Sequence, residues 1–127
     1  MQKHPEIKRF VRETLGCSCP EEVFEKIECQ NEIEGIPGSR IIVGNRLLIY
    51  IIPVDGQSGI RSVIEAALER GVTERDNKGF NRLRLVLTTS RPDELRSLAE
   101  HGFEDSGYAD SKTHLHVVNE ADITGFR

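Results

Sequence analysis

The sequence lacks the features that mark several large classes of protein. No apolar run reaches the roughly 20 residues that a membrane-spanning helix needs, and the first residues, MQKHP, lack the apolar core of a secretory signal. Basic residues are not in excess, because 17 Lys and Arg stand against 21 Asp and Glu and the formal net charge is −4. We therefore expect a cytoplasmic protein whose partner is neither a membrane nor a nucleic acid.

Cysteine is scarce as well, since the chain has three cysteines, at positions 17, 19 and 29. An odd number of cysteines does not make a disulfide framework, which agrees with a reducing compartment. If a helix runs from Pro20 to Glu28, Cys29 lies roughly 15 Å from Cys19 along the helix axis. That separation excludes Cys29 from a disulfide or a metal site shared with Cys19.

Signature motifs of catalysis are also missing. The sequence contains no Gly-x-Ser-x-Gly or His-Glu-x-x-His motif. Its glycine turn at residues 55–59 lacks both the Lys-Ser/Thr of a phosphate-binding loop and the three-glycine spacing of a dinucleotide motif. No characterised family is recognisable from its motifs. The sequence thus leaves open whether the protein is an enzyme.

What the sequence does contain is one long apolar segment, residues 47–54, interrupted only by Pro53. A strand with one exposed face alternates apolar and polar residues, so an unbroken β-branched run predicts a central strand buried on both faces. Residues 39–43 predict a second strand, and Gly44-Asn45 between the two is typical of a two-residue hairpin turn. We expect these two strands to pair antiparallel.

The segment after the central strand alternates helices and strands. An apolar stripe predicts a helix from residue 60 that ends at Gly71, and the polar residues 73–81 predict an exposed loop. Each strand-helix-strand unit requires a parallel pair joined by a crossover. The remaining predicted elements are a strand at 83–89, a helix that ends at Gly102, a loop at 104–112 and a strand at 113–118.

The first 29 residues carry two apolar stripes separated by Gly16 and predict a helical hairpin, while residues 31–36 are either a short strand or a loop. The hairpin is the remaining apolar element that can cover the second face of the sheet. The fold class predicted is α/β: one mixed sheet, built from an antiparallel hairpin and two β-α-β crossovers, with helices on both faces. The single domain comprises the helical hairpin (1–29), the α/β core (39–118) and a tail (119–127).

The turn Cys17-Ser18-Cys19 is the most suggestive local feature, because a thiol at a helix N-terminus is favoured as the reactive thiolate. His114 and His116 are two residues apart on a strand and project from one face, so they can complete a tetrahedral site for zinc or another soft metal. The alternatives are a redox pair of thiols, or cysteines that pack as core residues and histidines that lie on an exposed strand face.

A second candidate site is the glycine-containing turn with Gly56, Ser58 and Gly59. It lies between the central strand and the next helix, where α/β proteins bind anions. The alternative is a plain turn in which Ser58 caps the helix.

Without a catalytic signature, the function expected first is that of a protein-binding or self-assembling module, whose partner is another protein or a second copy of the chain. The alternative is a thiol-redox or metal-binding protein that uses the cysteine turn, Cys17-Ser18-Cys19.

Overall fold

The computed structural model describes residues 27–30, 38–44, 46–54, 59–108, 110 and 112–120. These residues form one five-stranded mixed sheet and two helices, and the strand order follows the chain, β1-β2-β3-β4-β5. The elements are β1 (Ile27–Gln30), β2 (Ser39–Val43), β3 (Leu47–Pro53), α1 (Ile60–Lys78), β4 (Arg82–Thr89), α2 (Pro92–Asp105) and β5 (Thr113–Asn119).

The predicted central strand is confirmed as β3. It pairs antiparallel with β2 and parallel with β4, so it has a neighbour on each side. Its residues from Leu47 to Ile52 are all buried. The run has no alternation because neither face of this strand meets water.

The hairpin between β2 and β3 is antiparallel, as predicted, but its loop is longer. Val43 lies opposite Leu47, which leaves three residues, 44–46, in the loop instead of two. The amide of Arg46 donates to the carbonyl of Val43 at 3.1 Å, and Gly44 adopts φ +61°. A glycine in the left-handed region allows the chain to reverse there without strain.

Both predicted crossovers are confirmed, since β3 pairs parallel with β4 and β4 pairs parallel with β5. The two crossover helices pack against each other and against the same face of the sheet, which we call the helix face. Leu83, Leu85 and Leu87 of β4 lie on this face, as their alternation predicts. The helices contribute Ile60, Ile64, Ala67, Leu68, Leu95 and Ala99 to this core.

The predicted end of the first helix at Gly71 is wrong, because α1 continues to Lys78 and is followed by Gly79 at φ +73°. The predicted loop at 73–81 is therefore mostly helix. Gly71 lies where the helix packs closely on the sheet: a Cβ atom there would lie 2.7 Å from Cδ2 of Leu83 and 3.3 Å from Cε2 of Tyr50. The glycine makes room for the sheet and does not end the helix.

The predicted end of the second helix at Gly102 is wrong for a similar reason. Helix α2 runs to Asp105, and Gly102 is buried inside it. A Cβ atom at this position would lie 3.4 Å from side-chain atoms of Arg61 and Ile64 in α1. Gly102 thus marks the contact between the two helices.

The N-terminal hairpin lies outside the described residues except at its end. Residues 27–30 form β1, which pairs antiparallel with β2, so the prediction that a helix extends to Glu28 is wrong. The free side of β2 offers hydrogen bonds to this segment, and Cys29 lies opposite Ile41 in the ladder. Because Cys29 lies in a strand and not at the end of a helix, helix length does not separate it from Cys19. The strand considered at 31–36 and most of the tail also lie outside the described residues.

Around β2 and β3 the second face of the sheet is apolar, and its side chains there are buried to the same degree as the helix face. Ile41, Ile49, Ile51 and Val86 lie on it with exposures of 0–2%. Both α1 and α2 lie on the opposite face. Because the N-terminal hairpin is not among the described residues, the second helical layer stays a prediction.

Candidate functional site at the outer edge of the sheet

Strand β5 is the last strand in the sheet order, and β4 is its neighbour among the described strands. The amide of Leu83 in β4 donates to the carbonyl of Lys112 at 2.8 Å, so the main chain at 112 faces β4. Main-chain groups alternate in direction along a strand, and those of Thr113, Leu115 and Val117 therefore point away from β4. Such groups can pair with a further strand.

Arg96 of α2 reaches this outer edge. Its Nη2 donates to the carbonyl oxygen of Val117 at 3.2 Å, and its Nη1 donates to Oδ1 of Asp93 at 2.7 Å. Asp93 and Arg96 lie on one side of the helix because they are three residues apart. The side chain of Arg96 is 46% exposed, so one outward carbonyl of β5 is occupied by a partly solvated guanidinium.

The beginning of β5 is fixed by a buried arginine in α1. The side chain of Arg75 is 5% exposed, and its Nη1 donates to Oγ1 of Thr113 at 2.6 Å. The same guanidinium donates to both carboxylate oxygens of Asp110 at 3.2 Å. The amide of Thr113 also donates to the carbonyl of Asp110 at 3.3 Å. These contacts tie the start of the edge strand to the last turns of α1.

His114 and His116 share the second face of β5, as predicted, and each contacts an arginine of β4. Nη1 of Arg82 lies 3.2 Å from Nε2 of His114, and Nη1 of Arg84 lies 2.9 Å from Nε2 of His116. An arginine can only donate, so both imidazoles accept at Nε2. Both arginines make other interactions as well.

The two histidines are neutral at pH 7. Burial lowers the pKa of His116 to about 4, with further contributions from the charge of Arg84 and from His114. Burial likewise lowers the pKa of His114, together with the charges of Arg84 and Arg82. A neutral imidazole next to a cation cannot readily take up a proton.

Neutral histidine is the form that binds metal, but Nε2 of each ring already accepts from an arginine. Within the described part of the chain, no group of three or more His, Cys, Asp or Glu side chains is arranged to hold a metal ion. Cys17 and Cys19 lie outside that part. The predicted site formed by these cysteines with His114 and His116 therefore stays a prediction.

Of the predicted anion-binding turn, Gly59 is described and Gly56 and Ser58 are not. Gly59 is exposed, adopts φ +79° and begins α1, where its carbonyl accepts from the amide of Val63 at 3.0 Å. These features describe the start of a helix. Anion binding at this turn stays a prediction.

A cluster around Glu74 has no counterpart among the predicted sites. Tyr50 donates to Oε1 of Glu74 at 2.7 Å, and Nε of Arg40 lies 2.9 and 2.8 Å from the two carboxylate oxygens. Burial raises the pKa of Glu74, but hydrogen bonds from Arg40 and Tyr50 outweigh this and lower it to about 2. Burial and the hydrogen bond to Glu74 raise the pKa of Tyr50 above its ordinary value. The cluster joins α1 to β2 and β3.

Part of this cluster is indicated by the sequence. Glu74 and Lys78 are four residues apart and form an ion pair at 3.2 Å on the helix surface, as expected of a helical segment. Tyr50 carries a hydroxyl in an otherwise apolar strand, and a buried hydroxyl requires a partner. With the helix predicted to end at Gly71, Glu74 falls in a loop, and neither its spacing from Lys78 nor the hydroxyl of Tyr50 points to a contact.

No family model matches this chain, and no curated protein or solved structure matches it. Neither α1 nor α2 is long and apolar enough to cross a membrane.

Proposed function

We propose that this chain is a self-assembling protein-binding module in which β5 of one protomer pairs antiparallel with β5 of its partner. The observation that supports this is the position of β5 at the end of the sheet order, with the main-chain groups of Leu115 directed away from β4. Addition of a strand to a sheet edge is a common mode of protein recognition.

A two-fold pairing centred on Leu115 is self-complementary. In that register Leu115 lies opposite the partner's Leu115, and Thr113 lies opposite the partner's Val117. On the helix face, the half-buried Leu115 gains an apolar neighbour. The paired residues on both strands are then apolar or neutral, which suits an interface between identical copies.

The second face tolerates the same register. His114 lies opposite the partner's His116, where two like charges would oppose pairing. Both imidazoles have a lowered pKa and are uncharged at neutral pH. A segment of another protein would use the same main-chain groups, but the fit of Leu115 to its own copy favours a second copy.

The test compares Leu115→Pro with Leu115→Ala by sedimentation equilibrium. Both variants lose the leucine side chain, but proline also lacks the amide N–H, which in this position points away from β4. We expect the wild type to dimerise, the alanine variant to dimerise more weakly because it lacks the Leu115 contact, and the proline variant to remain monomeric. Urea unfolding of both variants checks that they fold with comparable stability.

Two outcomes would contradict the proposal. One is a wild type that stays monomeric at millimolar concentration. The other is a proline variant that dimerises as tightly as the alanine variant. A wild-type monomer whose β5 amides shift in NMR spectra on addition of another protein would assign the edge to a different partner.

A second proposal is that Cys17 and Cys19 form a thiol site, either a redox pair or ligands of zinc that His114 and His116 complete. It is supported by the common face and neutral state of the two histidines. Metal analysis of protein purified without chelator, with thiol counting before and after mild oxidation, tests it. Substoichiometric metal and two thiols that resist oxidation would rule it out.

We also propose that the helical hairpin in residues 1–29, up to the start of β1, covers the second face of the sheet. This is supported by the burial of Ile41, Ile49 and Val86 on that face, while both described helices lie on the other. The cytoplasmic location and the absence of a nucleic-acid partner remain part of the proposal, supported by the odd number of cysteines and the net charge of −4.

A further inference from the structure

We infer that Arg96 caps the β5 edge and competes with the incoming strand, so that it sets the strength of self-assembly. The inference rests on the proposed pairing of β5 with its copy. Arg96 stabilises the monomer, and the partner strand must replace its hydrogen bond to the carbonyl of Val117.

The competing bonds are identified by the register. Pairing centred on Leu115 requires the amide of Thr113 to donate to the carbonyl of the partner's Val117. In the described structure, that carbonyl accepts from Nη2 of Arg96 at 3.2 Å, and the amide of Thr113 donates to Asp110 at 3.3 Å. The donor and the acceptor of this inter-protomer bond are thus both occupied within one chain.

Asp93 positions the guanidinium for this role. Its carboxylate accepts from Nη1 of Arg96 at 2.7 Å, which leaves Nη2 directed at the strand. Lysine has a single ammonium group and cannot reproduce this planar, two-armed arrangement. Asp93 itself is almost fully exposed, with 92% of its side chain accessible, so the bridge lies at the surface.

The cap is weak enough to be displaced. The bond from Arg96 to the carbonyl of Val117, at 3.2 Å, is at the long end of the usual range, and the bond from the amide of Thr113 to Asp110, at 3.3 Å, is just beyond it. The side chain of Arg96 is 46% exposed and regains hydration when it leaves. Charged side chains at sheet edges are a general means of preventing unwanted pairing. An edge that is capped by one solvated arginine stays open to a partner that offers several main-chain bonds together.

The test measures the dimer dissociation constant of Arg96→Ala, with Arg61→Ala as the matched control. Arg61 is also an exposed helix arginine, at 52%, and pairs with Asp105. Removing one competing hydrogen bond at each of the two symmetric positions should tighten the Arg96→Ala dimer roughly five- to thirtyfold. Asp93→Ala should tighten it less, and Arg61→Ala should leave it unchanged.

A second measurement reports the contact without dimerisation. In the Leu115→Pro background, where the chain is expected to be monomeric, Arg96→Ala should shift the carbonyl carbon resonance of Val117, and Arg61→Ala should not.

The outcomes separate this inference from the proposed function. If Leu115→Pro abolishes the dimer but Arg96→Ala leaves its dissociation constant unchanged or raises it, the cap is overturned and self-assembly stands. If the proline and alanine variants of Leu115 dimerise equally, the proposed pairing fails and the inference fails with it. A tighter dimer together with the Val117 shift supports both.

Discussion

Replacing Gly71 with alanine tests how closely α1 packs on the sheet. Inside a helix, alanine is more favourable than glycine by about 1 kcal/mol. Against this, the new methyl group would lie 2.7 Å from Cδ2 of Leu83, a side chain that is itself fully buried. Overpacking of a filled core costs about 1–3 kcal/mol. We therefore expect Gly71→Ala to lower the free energy of unfolding by about 1 kcal/mol.

Gly102→Ala provides the comparison, because it makes the same chemical change where there is room. The nearest atoms to its added methyl group, on Arg61 and Ile64, are 3.4 Å away, an ordinary contact distance. Only the gain in helix propensity remains, so this variant should be more stable by about 0.5–1 kcal/mol. The two glycine substitutions are thus expected to have opposite signs.

Urea unfolding monitored by circular dichroism measures both changes. Ala66→Gly, at an exposed position of α1, calibrates the glycine-to-alanine difference in the same helix. If Gly71→Ala stabilises the protein by as much as Ala66→Gly destabilises it, the close approach to Leu83 is wrong.

Two further predictions concern the buried ionic groups. The pKa of Glu74 falls from 4.5 to about 2, so its stabilisation is complete above pH 4.5 and is lost as the pH falls towards 2. After allowance for solvent screening, the advantage of the wild type over Glu74→Gln in urea unfolding should shrink by about 1–2 kcal/mol over that interval; an advantage that does not change with pH would contradict the ion pair. Arg75→Met leaves the buried hydroxyl of Thr113 without its donor and should cost about 2–4 kcal/mol. Arg61→Met, which removes an exposed ion pair, should cost under about 1 kcal/mol. If the two variants lose the same free energy of unfolding, the contacts of Arg75 do not hold the start of β5.

Strands β2 to β5 were predictable because burial on a strand is encoded in adjacent residues. The unbroken run of β3 and the alternation of leucines in β4 each indicate which faces are covered. The parallel pairing followed, since a strand, a helix and a strand must be joined by a crossover. The common face of His114 and His116 was predictable from the same two-residue period.

The helix ends were not predictable in this way, because glycine has two uses. A glycine ends a helix when its backbone turns left-handed, as Gly79 does, and it lies within a helix where another element comes close, as Gly71 does. Leu83, which decides the second use, is twelve residues further along the chain. The contact of Arg96 with the carbonyl of Val117 has no sequence pattern at all, because it joins a side chain to a main-chain atom that every residue possesses.

The contacts of Arg75 with Asp110 and Thr113 also have a consequence for misfolding. Among the described strands, β5 has main-chain bonds to β4 alone, and such edge elements open at a lower free energy than the core. If it detaches, β4 becomes the new edge, and its segment RLRLVLTT exposes Leu85, Val86 and Leu87, all of which are buried in the native sheet. Short apolar strand segments of this kind aggregate when exposed. The contacts of Arg75 with Asp110 and Thr113 therefore protect the protein against aggregation from a partly unfolded state, and their loss should be visible as insolubility on mild heating before it is visible as global unfolding.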